Sequence, residues 1–574
     1  MYRMPRLSSV GALLVLCALV LSACGGAPPQ AAAPVPTDAQ ATAPAEQPSA
    51  HPAEQPTAAA PSPEPAPVAS QSLRVAILRD EGTLQPYTYV TGYPGWNMLS
   101  LVYDALFIMN EQNLPVPWLA TEDAISEDGL VHTLTLRDNV TWHDGQPLTS
   151  ADVKFSYEFY QQNTHSRWTG QVRGITSIET PDPTTVVLTL ERPNPGFAIQ
   201  PLADVPIIPQ HLWEGVTEPD TFVNNIGSGP FKLAEYRTDQ LYRFTANADH
   251  FAGAPAVGEL LMPIIKDQTT IFSALRTGEI NGTTVPLTPE LVQEFQNAPN
   301  LKVVTGPGYA TTMLQFNTER PPWDKVEVRR AVALAIDPQM LVDTVLLGYG
   351  AAGNPGWLHP ASPFHDPSIT GTTDLAQAQS LLDGLGYTDS DGDGVREADG
   401  QPMVAELLVQ SNSPLRIRSA ELIAAALKEL GITINVTALE PDSVTAKVWP
   451  EFDVSKGRDF DLSMWGWSAP LQLSPTRMAS LVHSDPTIGT SNIGGYRNPE
   501  ADSLADQLLT VIDPAEQQTL ANQMEALIAS ELPFVMLFYA DGNYVFRSDV
   551  YDQWVYQTGQ GIFHKLSFQP TALN

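Results

Sequence analysis

Trp465 and Trp467 flank Gly466 at the end of an apolar run, Phe460 to Met464, and Pro470 follows three residues later. Alternate side chains of an extended segment share a face, so both indoles would present one aromatic surface. Facing a cleft, that surface stacks on sugars, prolines or apolar side chains; facing inward, it packs a core. The pattern alone leaves both readings open. A second stretch offers different chemistry. Asp389, Asp391 and Asp393 alternate and Gly394 follows, the first half of a calcium loop in which positions one, three and five give side-chain oxygens and a glycine makes the bend. The carbonyl of Val395 and the carboxylate of Glu397 extend the oxygen set. Position twelve is Gly400 rather than a bidentate Glu, so a structural calcium and a metal-free acidic turn both stay open. Magnesium suits a flexible all-oxygen loop less well.

Other chemistries find little support. The histidines stand singly, with no HxxxH or HxH spacing for a local zinc or nickel site, and no GxSxG, phosphate loop or dinucleotide fingerprint occurs. The two cysteines, Cys17 and Cys24, both lie near the N-terminus, so the body has no disulfide and no thiolate nucleophile. With 30 Lys+Arg against 64 Asp+Glu, the formal net charge of -34 repels nucleic-acid phosphates and anionic head groups. Carboxylates are plentiful, but no hydrolase constellation is readable, and no cofactor is required.

These residues need elements to position them. At 574 residues the chain exceeds one compact core, and two large domains or one bilobal unit are expected. Arg3 and Arg6, the apolar Val10 to Leu21 and the small residues of LSAC (Leu21 to Cys24) resemble a bacterial lipoprotein signal. That resemblance implies a signal peptide over 1–23 and acylation of Cys24, a lipid anchor as the chain's only membrane attachment. The Ala/Pro-rich stretch 24–71, with its near-repeat PAEQP, has no apolar periodicity and reads as a disordered tether reaching on the order of 100 Å. From Ser72 the pattern is globular. HTLTLRD (His132 to Asp138) and TTVVLTLE (Thr184 to Glu191) read as strands. A helix is predicted from Asp324 as N-cap, with Val328, Ala331, Val332 and Ala335 inward and Arg329 and Arg330 facing elsewhere. Others are predicted over Ser419 to Leu430, stopped by Gly431, and from Asp513, followed by the buried strand Pro533 to Tyr539.

Six stretches carry a resemblance: Leu119 to Glu158, GSGPFKLAEY (Gly227 to Tyr236), FSALRTGEI (Phe272 to Ile280), Leu314 to Asp337, FDLSMWGW (Phe460 to Trp467) and YRNPEADSL (Tyr496 to Leu504). In this order they are similar to the family 5 extracellular solute-binding proteins, the peptide-, nickel- and oligosaccharide-binding components of ABC importers. The resemblance implies an α/β, two-lobed, periplasmic-binding-protein-like (type II) fold with an extra inserted subdomain. Lobe I would cover 72–314 plus 542–574, with the insert near 106–203, and lobe II 315–541. It implies a non-enzymatic, monomeric, extracytoplasmic receptor that closes on a ligand and delivers it to an ABC permease, or serves a sensing system. Peptide-binding relatives place an acid three residues after the Trp of the GW motif, where this chain has Pro470, and some place a base three before it, where Met464 stands. A charged peptide terminus would lack that counter-charge, so oligosaccharide stands beside oligopeptide as expected ligand. The loop YTYVTGYPGW borders the ligand in relatives, which makes Tyr89, Thr91, Tyr93 and Trp96 contact candidates. Trp357, Asn412, Trp465 and Trp467 complete the set.

Overall fold

The computed structural model describes residues 71–89, 92–308, 310–467 and 475–569. Thr91, Cys24 and Pro470 lie outside the described residues.

Two large sheets organise the chain. In the first, seven strands run in the order 301–306, 542–547, 282–283, 72–76, 259–263, 241–246 and 231–237. Ser72–Ala76 pairs in parallel with both Glu259–Pro263 and Gly282–Thr283. The second has six strands, in the order 350–352, 534–540, 311–316, 462–465, 404–410 and 433–439. Val404–Gln410 and Thr433–Leu439 are parallel, which requires a crossover, and the helix Pro414–Lys428 supplies it. The chain passes between the sheets twice, from Gly306 to Thr311 and from Ala540 to Gly542. A separate antiparallel sheet of four strands, 120–125, 131–136, 185–190 and 175–182, falls between the first and last strands of the seven-stranded sheet in sequence.

The local signals act through named contacts. The helix Ser150–Gln162 starts at a capping box in which Thr149 and Asp152 satisfy each other's backbone donors. Asp513 caps Pro514–Glu531 by accepting from the Glu516 amide at 2.8 Å. Gly431 takes the left-handed conformation (φ 77°) that ends the preceding helix, a conformation a β-carbon disfavours. The helix predicted from Asp324 spans Val326–Ala335 with Lys325 as N-cap, and its stripe of Val328, Ala331, Val332 and Ala335 is buried as expected.

Two expectations are overturned there: Asp324 precedes the N-cap rather than forming it, and Arg329 is buried, not turned away from the core. Its guanidinium donates to the carbonyls of Glu531, Leu532, Trp323 and Asp324 at 2.7–3.1 Å, occupying the carbonyl-rich end of the helix Pro514–Glu531. The planar five-donor fork of arginine suits such a convergence of acceptors, and periodicity carries no sign of it.

The C-terminal segment is fastened to the first sheet's surroundings by a buried polar knot. Asp104 accepts from Trp118 Nε1 at 2.8 Å and from Ser228 Oγ at 2.9 Å, and it pairs with Lys565. A fully buried ion pair is tolerable only with its remaining lone pairs satisfied, which the Trp and Ser donors accomplish. Among the described residues no helix is long and apolar enough to cross a membrane.

Candidate functional site

The strand Leu462–Trp465 lies in the six-stranded sheet, pairing with Thr311–Phe316 beside the sheet-to-sheet crossing. Past its end the backbone stays extended: the Trp467 amide donates to Thr311 Oγ1 at 2.9 Å, and the Thr311 amide donates to the Trp467 carbonyl at 3.0 Å. The two rings therefore fall on one side. Their centroids are 6.1 Å apart at 65°, and Trp449 stands edge-on to both, 6.5 Å from Trp465 and 5.4 Å from Trp467. Trp465 is buried, 7% exposed, and packs the core, whereas Trp467 is half-buried. One indole is structural and its neighbour is accessible.

Two arginines flank this segment. The Arg477 guanidinium lies 5.0 Å from the Trp467 ring centroid, in cation–π range. Arg416 approaches from the other element: a β-carbon on Gly466 would sit 2.5 Å from its Nη2, so glycine permits this approach. Arg416 donates to Gln410 Oε1 at 3.2 Å. Neither arginine has a carboxylate within ion-pair distance among the described residues. Burial, unopposed by a counter-charge, pulls Arg477 down to about 10 and lowers Arg416 as well.

Arg477 also lines a cavity of about 340 Å³. Thr476, Arg477 and Ser480 form one wall, and Gly170, Gln171, Asn194, Gly196, Ile199 and Gln200 form the other. The first group lies on the helix Thr476–Val482, and the second flanks the four-stranded sheet's last hairpin, so distant parts of the chain meet here. Contact between the two halves recurs where the Ile512 side chain lies close to Gly129, with Pro193 on the same glycine. Arg477 is the cavity's sole charged lining residue among those described; the rest are amides, hydroxyls, glycines and one isoleucine.

Behind the second wall sits an aromatic cluster. Gln171 Nε2 donates to Asp204 at 2.6 Å, and Asp204 holds Arg167 through two bonds of 2.6 and 3.0 Å. Arg167 in turn lies over Trp96 and Trp168 at 4.9 and 5.3 Å. Tyr89 stacks on Trp168 at 6.0 Å, and burial raises the Tyr93 hydroxyl to about 12 beside Arg167. Tyr89 and Trp96 are buried and Tyr93 is half-buried, so the structure brings these three together one layer behind the cavity wall. Trp357, 1% exposed, is in the core of the six-stranded half, its carbonyl accepting from Tyr539. Asn412 is exposed in the turn before the helix Pro414–Lys428 and does not line the cavity.

Sequence reasoning missed Arg477, Arg416, Gln171, Asn194 and Gln200. The amides carry no motif. Only Arg477 had a legible signal, a cation ten residues past the GW motif with no acid nearby in sequence, in SPTRMASL.

At the acidic loop, carboxylate oxygens of Asp389, Asp391, Asp393 and Glu397 all lie within 4.8 Å of one another. Asp389 accepts from the amides of Gly392 and Gly394 at 2.7 and 2.9 Å, and Asp393 accepts from the Val395 amide at 2.8 Å. Gly392 and Gly394 have φ near 83° and 91°. The turn thus folds three alternating carboxylates inward.

Two sheets joined by two short crossings, with a cavity walled from distant parts of the chain, define a two-lobed binding protein of the periplasmic type. The model of the bacterial extracellular solute-binding proteins, family 5, matches residues 115–488, and the chain belongs to that family. It is a solute-binding protein of the ABC-importer class and not an enzyme. Oligopeptide-binding protein AppA of Bacillus subtilis is 26% identical over 477 residues, covering 81% of this chain and 85% of that protein. Heme-binding protein A of Haemophilus influenzae is 24% identical over 455 residues, 74% of this chain and 79% of that one. Among solved structures, NikZ from Campylobacter jejuni in complex with Ni(L-His) superposes with a TM-score of 0.70 at 25% identity, covering 86% of this chain and 98% of that chain.

Proposed function

We propose that this protein captures an oligopeptide between its lobes, beside Trp467, and delivers it to an ABC permease as a monomer held to the membrane by a lipid on Cys24. The observation that carries the reading is the cavity walled by Gln171 and Gln200 on one side and Arg477 on the other, next to the half-buried Trp467. A ligand touching both walls favours the closed arrangement, and differential affinity for that state is what a permease can read. The lobes follow the sheets, one crossing lying between the strands 301–306 and 311–316 and the other between 534–540 and 542–547, with the four-stranded sheet as the inserted subdomain. Trp467 is the stacking residue; Tyr89, Tyr93 and Trp96 brace the opposite wall through Arg167 and Asp204. Family relatives named for peptide, heme and nickel complexes support ligand capture while differing in cargo.

The test is small-angle scattering of the purified chain with and without an oligopeptide digest. Compaction on binding supports the reading, and tight binding with unchanged dimensions counts against it. Oligosaccharide is the second reading, favoured by the aromatic face and by Pro470 at the position where peptide-binding relatives carry an acid. A sensing role without a permease uses the same cleft.

The acidic loop supports a second, independent role: Asp389, Asp391, Asp393 and Glu397, with the Val395 carbonyl, hold a structural calcium ion. Calcium titration of the chelated protein tests this, with no heat of binding as the contrary result.

A further inference from the structure

Resting on the solute-capture reading, we infer that the ligand presents a carboxylate to Arg477. In a chain with 64 acidic and 30 basic residues, a partly buried arginine ordinarily finds an acid. Arg167, Arg320, Arg396 and Arg458 all do, at side-chain contacts to Asp204, Asp459, Asp383 and Glu319. Arg477 does not, and it borders a cavity of about 340 Å³ with no other charged group in its described lining. Its guanidinium is fixed against the Trp467 ring at 5.0 Å, which orients its donors at little further entropy cost.

The opposite wall carries no competing charge among the described residues. Gln171 Nε2 is committed to Asp204, while Gln171 Oε1 is buried with no hydrogen-bond partner among the described residues. That oxygen has no accessible surface and so does not face the cavity, and this wall offers a ligand uncharged polar side chains such as Asn194 and Gln200. Arg416, also without an acid, adds positive potential behind Gly466. The site thus has an anion-seeking wall facing a neutral polar one. Two ligand sources share this chemistry: the C-terminus of a peptide and the acid group of a sugar acid.

Both sources can be examined by calorimetry on the full chain with four probe pools. These are neutral-side-chain tri- and tetrapeptides as free acids, the same peptides as C-terminal amides, uronic-acid-terminated oligosaccharides, and their neutral counterparts. We expect one acid pool to bind and its uncharged counterpart to bind at least 10-fold more weakly, the scale of losing one charge-assisted contact. Arg477→Gln should weaken the acid pool about 10- to 100-fold and erase the preference, with Arg477→Lys intermediate. Equal binding of the uncharged counterpart, or a preference that survives in Arg477→Gln, overturns the carboxylate assignment but leaves solute capture standing. Failure of both acid pools to bind overturns it as well, while compaction with any other solute would preserve the broader reading. The wild-type acid-to-neutral ratio decides the matter even if Arg477→Gln does not fold.

Discussion

The Arg477 guanidinium stacks 5.0 Å from the centre of the Trp467 ring, and no carboxylate among the described residues pairs with it. Trp467 and Trp465 are two residues apart and touch each other, yet they differ in exposure. That difference assigns them different work.

Trp467→Ala should leave unfolding nearly unchanged and weaken ligand binding by at least 10-fold, since it removes a half-exposed stacking surface. Trp465→Ala should do the reverse, costing about 3–5 kcal/mol of stability through the cavity it leaves. Denaturant melts and ligand titration on both variants check the pair. Equal effects on stability would dissolve the distinction.

Arg329 holds four backbone carbonyls, so Arg329→Met should destabilise the protein by about 3 kcal/mol or more by leaving buried acceptors unpaired. The neighbouring exposed contact, Arg330 to the Ser530 carbonyl, is the control: Arg330→Met should cost less than about 1 kcal/mol. Urea midpoints measured side by side would show the gap, and similar shifts would contradict it.

Calcium should raise the melting temperature of chelated protein, and Asp391→Asn together with Asp393→Asn should abolish that rise. Magnesium should be weaker at equal concentration. A melting temperature indifferent to calcium would leave the loop as a turn.

Burial pushes His564 down to about 4, against the bond from its ring to the Val555 carbonyl at 2.9 Å. Burial likewise brings His143 to about 4. A histidine depressed in the folded state takes up its proton on unfolding, so stability is lost as pH falls from about 6.5 towards 4. At pH 5 this amounts to about 2 kcal/mol per residue. Glu525 and Glu81, raised by burial, act in the opposite direction, so the informative quantity is a difference. His564→Gln should shrink the pH 7 to pH 5 loss of stability; an unchanged slope would show that this group titrates normally.

Much of the fold was legible because its signals are local. Asp513 with Pro514, Gly431, and the stripe Val328, Ala331, Val332 and Ala335 each act within a few residues, and each appears as read. Arg329 departs from the helix pattern because two of its four carbonyl partners, Glu531 and Leu532, lie about 200 residues away, where helix periodicity has no reach. The site was legible only on one side. Trp465 and Trp467 stand out by alternation, and the folded chain then separates a core ring from an accessible one. Gln171, Asn194 and Gln200 face Arg477 only because the chain returns upon itself, and single amides carry no spacing to betray this. Trp357, an aromatic on a Gly/Pro-rich stretch, is buried, and its carbonyl accepts from the Tyr539 hydroxyl, a long-range contact that its local sequence does not announce.

The most direct test of capture beside Trp467 is native mass spectrometry of the full chain after incubation with a mixed oligopeptide digest. Wild type should carry one-to-one peptide adducts, and Trp467→Ala, folded to the same melting temperature, should lose at least nine-tenths of them, the ~10-fold effect expected of a stacking anchor. A wild-type protein that takes up no adduct, or a variant that retains the same adducts undiminished, would contradict the account.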